Sequence, residues 1–201
     1  MEIYRGKHAS FMDARLLVEQ LAGYEHIHID IGTGDGRFVR HMAAARPQHF
    51  VIGVDACREN LEETARRAPA NSLFVIANAQ ALPPELHGLA ASVTVNFPWG
   101  SLLEGLLEVN SQVLAGVKAI TRPRAQLEVR LNSGALAEIG ISLEVGAEQV
   151  RHALTASGFN MQPPVELTAV DLRAIPTTWA KRLAYGRDPR GVSLTGGKRQ
   201  F

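Results

Sequence analysis

The residues of this chain best suited to chemistry are acids set beside glycines, and a pair of tryptophans. Asp30-Ile31-Gly32-Thr33-Gly34-Asp35-Gly36 places an acid ahead of three alternating glycines, and a helical pattern follows. Glycines at such a turn let the backbone approach a ligand, and the helix they open offers unpaired amide N–H groups. The nicotinamide fingerprint Gly-x-Gly-x-x-Gly is not met, because Arg37 stands where its third glycine belongs. Phosphate is disfavoured as well, since no lysine follows the glycines and two acids flank the loop. Asp55 closes the next apolar run, 19 residues beyond Gly36, where a carboxylate can accept both hydroxyls of a ribose. The two tryptophans of the chain lie in Val95-Asn96-Phe97-Pro98-Trp99-Gly100-Ser101 and in Thr177-Thr178-Trp179-Ala180-Lys181-Arg182-Leu183. A tryptophan locked behind a proline at a strand end is placed to stack a planar ring. Trp179 and Leu183, four apart, share one stripe of an amphipathic helix. The seven histidines show no ligand spacing, so no metal is expected, and Cys57 has no base partner and reads as a packing residue.

The elements that must hold these residues follow from hydrophobic period. His26–Ile31, Phe50–Asp55, Leu73–Ala77 and Ala91–Phe97 read as strands, with helices at 36–45 and 58–67 and a short turn at 83–87 between them. Continuous apolar strands joined by helices predict a doubly wound, mostly parallel α/β sheet covered on both faces. The second half reads as a helix at 111–120, a strand at 125–131, a helix at 147–157 closed by Gly158, and a strand at 159–167. Residues 3–7 form a small edge strand ahead of a helix at 11–22. The expected organisation is one domain over residues 1–201, an N-terminal β extension at 1–24 preceding a core at 25–201.

Composition narrows the class further. Hydrophobic residues make up 46% and charged residues 20%, with a mean hydropathy of −0.03, which excludes a disordered tail. No apolar run is long enough to span a membrane, Met1–Ser10 carries charges where a signal peptide needs an apolar stretch, and one cysteine excludes an internal disulfide; a cytoplasmic protein with no membrane partner is expected. The net charge of +1 is unevenly spread. From Trp179 to Phe201, Lys181, Arg182, Arg187, Arg190, Lys198 and Arg199 stand against the single acid Asp188, a local +5 that leaves the preceding 178 residues at −4. Such a patch suits docking on a structured nucleic acid.

The acidic strand end, the Gly-x-Gly-x-Gly turn and the acid closing the next strand resemble class I S-adenosylmethionine (SAM) dependent methyltransferases. Asn96-Phe97-Pro98-Trp99 is similar to the Asn-Pro-Pro-aromatic loop of amino methyltransferases, with Phe97 in place of the first proline. It is also similar to the Asn-Phe-Pro-Asp-Pro-Trp segment of tRNA guanine-N7 methyltransferases, without its Asp and second Pro. With Gly32–Gly36, Phe97-Pro98-Trp99-Gly100-Ser101-Leu102-Leu103 and Trp179-Ala180-Lys181-Arg182-Leu183-Ala184, the chain resembles the kanamycin-apramycin resistance 16S rRNA (adenine-N1) methyltransferases from His28 to Arg187.

That resemblance implies a seven-stranded Rossmann-like methyltransferase sheet and SAM as cofactor. It implies a SAM pocket of Asp30, Gly32, Thr33, Gly34, Phe38, Asp55, Ala79, Gln80, Asn96, Phe97, Trp99, Ser101, Thr177 and Thr178. Trp99 and Trp179 would clamp a flipped adenine over Pro98, and Lys181, Arg182, Arg187, Arg66, Arg67, Arg122, Arg124 and Arg151 would grip rRNA phosphates. The partner it implies is the 30S subunit at the helix 44 decoding region, with methylation of adenine 1408 conferring aminoglycoside resistance. Gln80 stands where the family has an acid, so neither it nor Asn96 is given a role in the chemistry. Adenine N1 carries an in-plane lone pair and no proton, so its methylation needs no general base, only alignment of the reacting atoms. A tRNA guanine-N7 or other RNA base methyltransferase stays open at this point, as does a non-catalytic RNA-binding protein with a SAM-type pocket.

Overall fold

The computed structural model of the chain describes residues 1–186 and 190–199. Its elements run β1 (Glu2–Arg5), β2 (His8–Phe11), α1 (Ala14–Leu21), β3 (His26–Ile31), α2 (Arg37–Ala45), β4 (His49–Asp55), α3 (Arg58–Ala65), β5 (Ser72–Ile76) and β6 (Ala90–Asn96). The second half continues with α4 (Gly100–Leu107), α5 (Gln112–Ile120), β7 (Thr121–Asn132), α6 (Ser133–Glu138), α7 (Leu143–Ala156), β8 (Phe159–Met161), β9 (Val165–Leu167), α8 (Ala169–Ala174), α9 (Thr178–Ala184) and β10 (Gly191–Lys198).

Among the described residues the strands join one sheet in the order β2-β1-β5-β4-β3-β6-β7-β10-β8, with β9 also on β10. β3 to β7 are mutually parallel, as the continuous apolar strands predict, whereas β10 runs antiparallel to β7, β8 and β9. Two apolar clusters cover the two faces. Ile27, Ile29 and Ile31 of β3 with Phe50, Ile52 and Val54 of β4 meet α1, α4, α5 and α7, while Val51 and Phe74 meet Val39 and Ala43 of α2 and Leu61 of α3. The expected seven strands are β5-β4-β3-β6-β7-β10 and a seventh, broken into β8 and β9 by Pro163 and Pro164, which have no N–H to give a ladder. The N-terminal extension is a hairpin, β1 and β2, laid antiparallel on β5.

Several boundaries differ from the sequence pattern, each for a local reason. Phe11 belongs to β2, and α1 starts after Asp13, whose carboxylate accepts from the Leu16 amide at 2.8 Å. The helix expected at 147–157 starts four residues earlier, capped by Ser142. The largest correction is β10, which lies where the sequence suggested only a basic tail. Its Gly196 meets the β8 backbone so closely that a Cβ would sit 2.5 Å from the Asn160 carbonyl oxygen. The glycine that this approach requires, followed by Gly197, erases the strand signal from the sequence. Strand β10 carries Lys198 about 23 Å from Gly191, and Arg199 just beyond it, to the edge where β7 begins. The basic segment is therefore divided between two ends of the sheet. Among the described residues no helix is long and apolar enough to cross a membrane.

Candidate active site

The parallel strands end on one edge, and a cavity of about 510 Å³ opens there beyond β3, β4 and β6, within the size range of small-molecule sites. Gly32 and Thr33 donate their amides to the Val54 carbonyl at 2.8 and 3.0 Å, pinning the glycine turn to β4. Gly32 adopts φ +69°, and a Cβ there would meet Leu102 Cδ2 at 2.6 Å, so any other residue would be strained and would have to displace Leu102. Asp55 accepts from the Gly34 amide at 2.7 Å through one oxygen and from the Cys57 amide at 2.9 Å through the other. It thus ties the loop to the start of α3 and still lines the cavity, since each carboxylate oxygen has a second acceptor site.

Asp30 lies at the floor, 1% exposed. Thr94 donates to its Oδ1 at 2.6 Å and the Asn96 amide donates at 2.8 Å. Arg130 donates to Asn96 Oδ1, which settles the orientation of that amide and leaves its NH2 group for Asp30. Burial pushes the Asp30 carboxyl up to about 6, against the pull of these hydrogen bonds and the Arg130 charge.

At the mouth, Trp99 and Trp179 stack with ring centroids 4.9 Å apart and planes 29° from parallel. The Arg182 guanidinium lies over the Trp179 ring at 5.1 Å. Phe97 makes this arrangement possible by adopting φ +52°, a left-handed conformation rare outside glycine, which turns the chain off β6 and aims Trp99 at the cavity. The Phe97 side chain packs in a separate cluster with Leu172, Ile175 and Ala180. One residue therefore places both rings, by its backbone for Trp99 and by its side chain for the helix that carries Trp179. A second tie reaches the same helix from the glycine loop, because Thr178 donates to Asp35 Oδ2 at 2.6 Å across 143 residues of sequence.

Of the residues implied by resemblance, Asp30, Gly32, Thr33, Gly34, Asp55, Ala79, Asn96, Phe97, Pro98, Trp99, Ser101, Thr177, Thr178 and Trp179 line this cavity. Phe38 does not: the inner face of α2 buries it beside His28, ring centroids 5.9 Å apart. Gln80 does not either; it lies exposed in a short turn capped by Asn78 and faces a neighbouring groove with Ser101 and Glu104. Lys181 and Arg182 are exposed beside the tryptophans. Arg66 and Arg67 follow the end of α3, and Arg151 on α7 pairs with Glu148 at 2.8 Å. Arg122 and Arg124 sit at the start of β7, the edge opposite the cavity, and Arg122 donates to the Glu25 carbonyl. Arg187 lies outside the described residues. Among polar lining residues the sequence pattern did not single out Asp35, Asn60 and Asn78. Only Asp35 carried a signal, as a member of the glycine turn.

The residues present fit SAM. Three aspartates (Asp30, Asp35 and Asp55), three asparagines (Asn60, Asn78 and Asn96) and apolar groups from Leu102, Ala77 and Ala79 line the cavity, and the buried Trp99 Nε1 on its wall has no hydrogen-bond partner among the described residues. Comparison with known proteins agrees with this geometry. The family model described as NpmA: 16S rRNA (adenine(1408)-N(1))-methyltransferase matches residues 2–198. An Escherichia coli 16S rRNA (adenine(1408)-N(1))-methyltransferase is 34% identical over 214 residues, covering 98% of both chains. A crystallised variant of the 16S rRNA (adenine(1408)-N(1))-methyltransferase from Catenulisporales acidiphilia, with cosubstrate SAM, is 28% identical at a TM-score of 0.87, covering 100% of this chain and 97% of that one. The antibiotic-resistance methyltransferase Kmr is 32% identical at a TM-score of 0.83, with both chains covered in full. With a sheet edge, a glycine turn and a tryptophan pair of this geometry, the chain belongs to the 16S rRNA (adenine(1408)-N(1))-methyltransferase family.

Proposed function

We propose that this chain, acting as one catalytic unit over its 201 residues, methylates N1 of adenine 1408 of 16S rRNA in the assembled 30S subunit, docking at the decoding region of helix 44. The observation that carries the reading is the Trp99–Trp179 stack at the mouth of a cavity walled by Asp30, the glycine turn and Asp55. SAM, when bound, supplies an electrophilic methyl group, and Asp30, Thr33, Asp55 and Asn96 are the side chains that would hold it.

The chain's own task is orientation. A planar base between the two indoles needs van der Waals spacing on both sides, about 7 Å between ring planes, so the pair at 4.9 Å must open to admit it. An extruded adenine held there is stacked on both faces, worth roughly 1 to 3 kcal/mol per base. N1 needs no base to activate it. As it gains a methyl group the ring becomes cationic, and the indole faces stabilise that charge. The modified base then presents a methyl group and a positive charge where an acceptor stood, which opposes binding of a cationic aminoglycoside such as kanamycin or apramycin. Lys181 and Arg182, beside the tryptophans, would grip rRNA phosphates.

Labelled SAM incubated with 30S subunits, protein-free 16S rRNA and bulk tRNA tests this directly. Transfer into 30S subunits above the other two supports the reading. Transfer into tRNA alone would redirect it to a tRNA methyltransferase, and SAM binding without transfer to any RNA would indicate a non-catalytic protein.

A further inference from the structure

β3 and β6 bury a polar seam on the face beneath α2. His26, His28 and Asp30 alternate with the isoleucines of β3, and β6 sets Ser92 opposite His28 and Thr94 opposite Asp30. His26 Nε2 lies 2.8 Å from Ser92 Oγ, which lies 2.7 Å from His28 Nδ1; His28 Nε2 lies 3.0 Å from Thr94 Oγ1, which donates to Asp30 at 2.6 Å. His28 is 3% exposed and Thr94 5%, whereas His26 is half-buried.

With Asp30 ionised, one arrangement of protons satisfies the whole row. A carboxylate only accepts, so the single Thr94 proton goes to Asp30. The Thr94 oxygen then accepts from His28 Nε2–H, His28 Nδ1 accepts from the Ser92 hydroxyl, and Ser92 accepts from His26 Nε2–H. Burial holds the His28 imidazole down to about 3, with the neighbouring His26 charge acting in the same direction, so it stays neutral as this arrangement requires.

We propose that His28 is a positioning residue for the cofactor-binding carboxylate: by donating to Thr94 it commits the threonine proton to Asp30, and Ser92 and His26 fix the tautomer that lets it do so. The proposal rests on reading the cavity as a SAM site. The charged groups around the row are Arg130 of β7 near Asp30, and His49 of β4, Arg46 after α2 and Arg122 of β7 near His26. None of them supplies the hydrogen bond to Thr94.

The test is calorimetry with SAM from pH 5.5 to 8.5 on the unaltered protein, Thr94→Val, Thr94→Ser, His28→Leu and His28→Gln. Loss of a hydrogen bond to a charged group predicts about tenfold weaker binding in Thr94→Val at pH 7.5. Because that bond favours ionised Asp30, its loss also moves upward the pH below which binding fades; a residue that only fills space would shift neither. Thr94→Ser restores binding, and His28→Gln, whose amide can donate to Thr94, recovers the loss seen in His28→Leu. If the unaltered protein does not bind SAM, the cofactor reading fails and the proposal with it. If it binds and Thr94→Val matches it in affinity and pH midpoint, the proposal alone is overturned. Should the variants not fold, 15N shifts of His28 in the unaltered protein decide: a proton on Nε2 is expected, and one on Nδ1 would overturn the assigned direction.

Discussion

Burying the Asp30 carboxyl raises it from 3.8 to about 6, so its ionisation at neutral pH costs the fold about 3 kcal/mol. The sign follows from the raised value: the contribution to stability is full below 3.8 and is lost as pH rises through about 6. Asp30→Asn should therefore raise Tm relative to the unaltered protein by several degrees at pH 8 and by little at pH 4.5, while abolishing SAM binding. Scanning calorimetry of both proteins across pH checks this; an equal Tm difference at both ends would contradict it. Trp179→Ala should lower kcat/KM for 30S subunits by about 10- to 100-fold, with SAM affinity held within a few-fold, since stacking is removed and the glycine turn is not. At this scale much was legible in advance. The acid-glycine turn, Asp55 and the Pro-Trp pair identify themselves by type and spacing. Phe38 and Gln80 lie outside the cavity, because the inward face of α2 and the cap by Asn78 decide where those side chains go. The two alternating histidines of β3 carried no recognisable spacing on their own. Their meaning depends on Ser92 and Thr94, which only strand register brings alongside.

Helix α9 is the element on which the clamp depends, and it is held by two ties of different kind. Phe97 packs against Ala180 and its neighbours, and Asp35 accepts from Thr178. The second tie links the cofactor loop to the helix bearing Trp179. Thr178→Val should remove the response of Trp179 fluorescence to SAM and lower 30S methylation severalfold, with Thr178→Ser retaining both. An unchanged fluorescence response in Thr178→Val would show that the loop does not communicate with the helix. Periodicity revealed the first strands and helices to within a few residues because they are continuous and apolar. β10 stayed hidden because its close approach to β8 requires glycine at 196, and the seventh strand read as unbroken because apolar residues flank Pro163 and Pro164, whose fixed φ and missing N–H interrupt the ladder.

Across the whole molecule, charge is distributed by topology rather than by sequence order. Lys181 and Arg182 stay with the tryptophans, whereas β10 takes Lys198 to the far edge, where it donates to the carbonyls of Lys118 and Thr121 at the end of α5. Arg122 and Arg124 occupy that same edge. Lys181→Ala should weaken 30S binding and reduce its salt slope by roughly one, as loss of one phosphate contact does. Arg122→Ala should leave the methylation rate within about twofold, measured under the same salt. A net charge of +1 conceals this polarity, which is why composition alone says little about an RNA partner. The most direct measurement of the central claim is primer extension on 16S rRNA from 30S subunits treated with the protein and SAM. A methyl group on N1 blocks the Watson-Crick edge, so a new reverse-transcriptase stop at adenine 1408 is predicted, absent without SAM and much weakened in Trp179→Ala. Efficient methyl transfer to 30S subunits with no stop at that adenine, or with a stop elsewhere, would contradict the account.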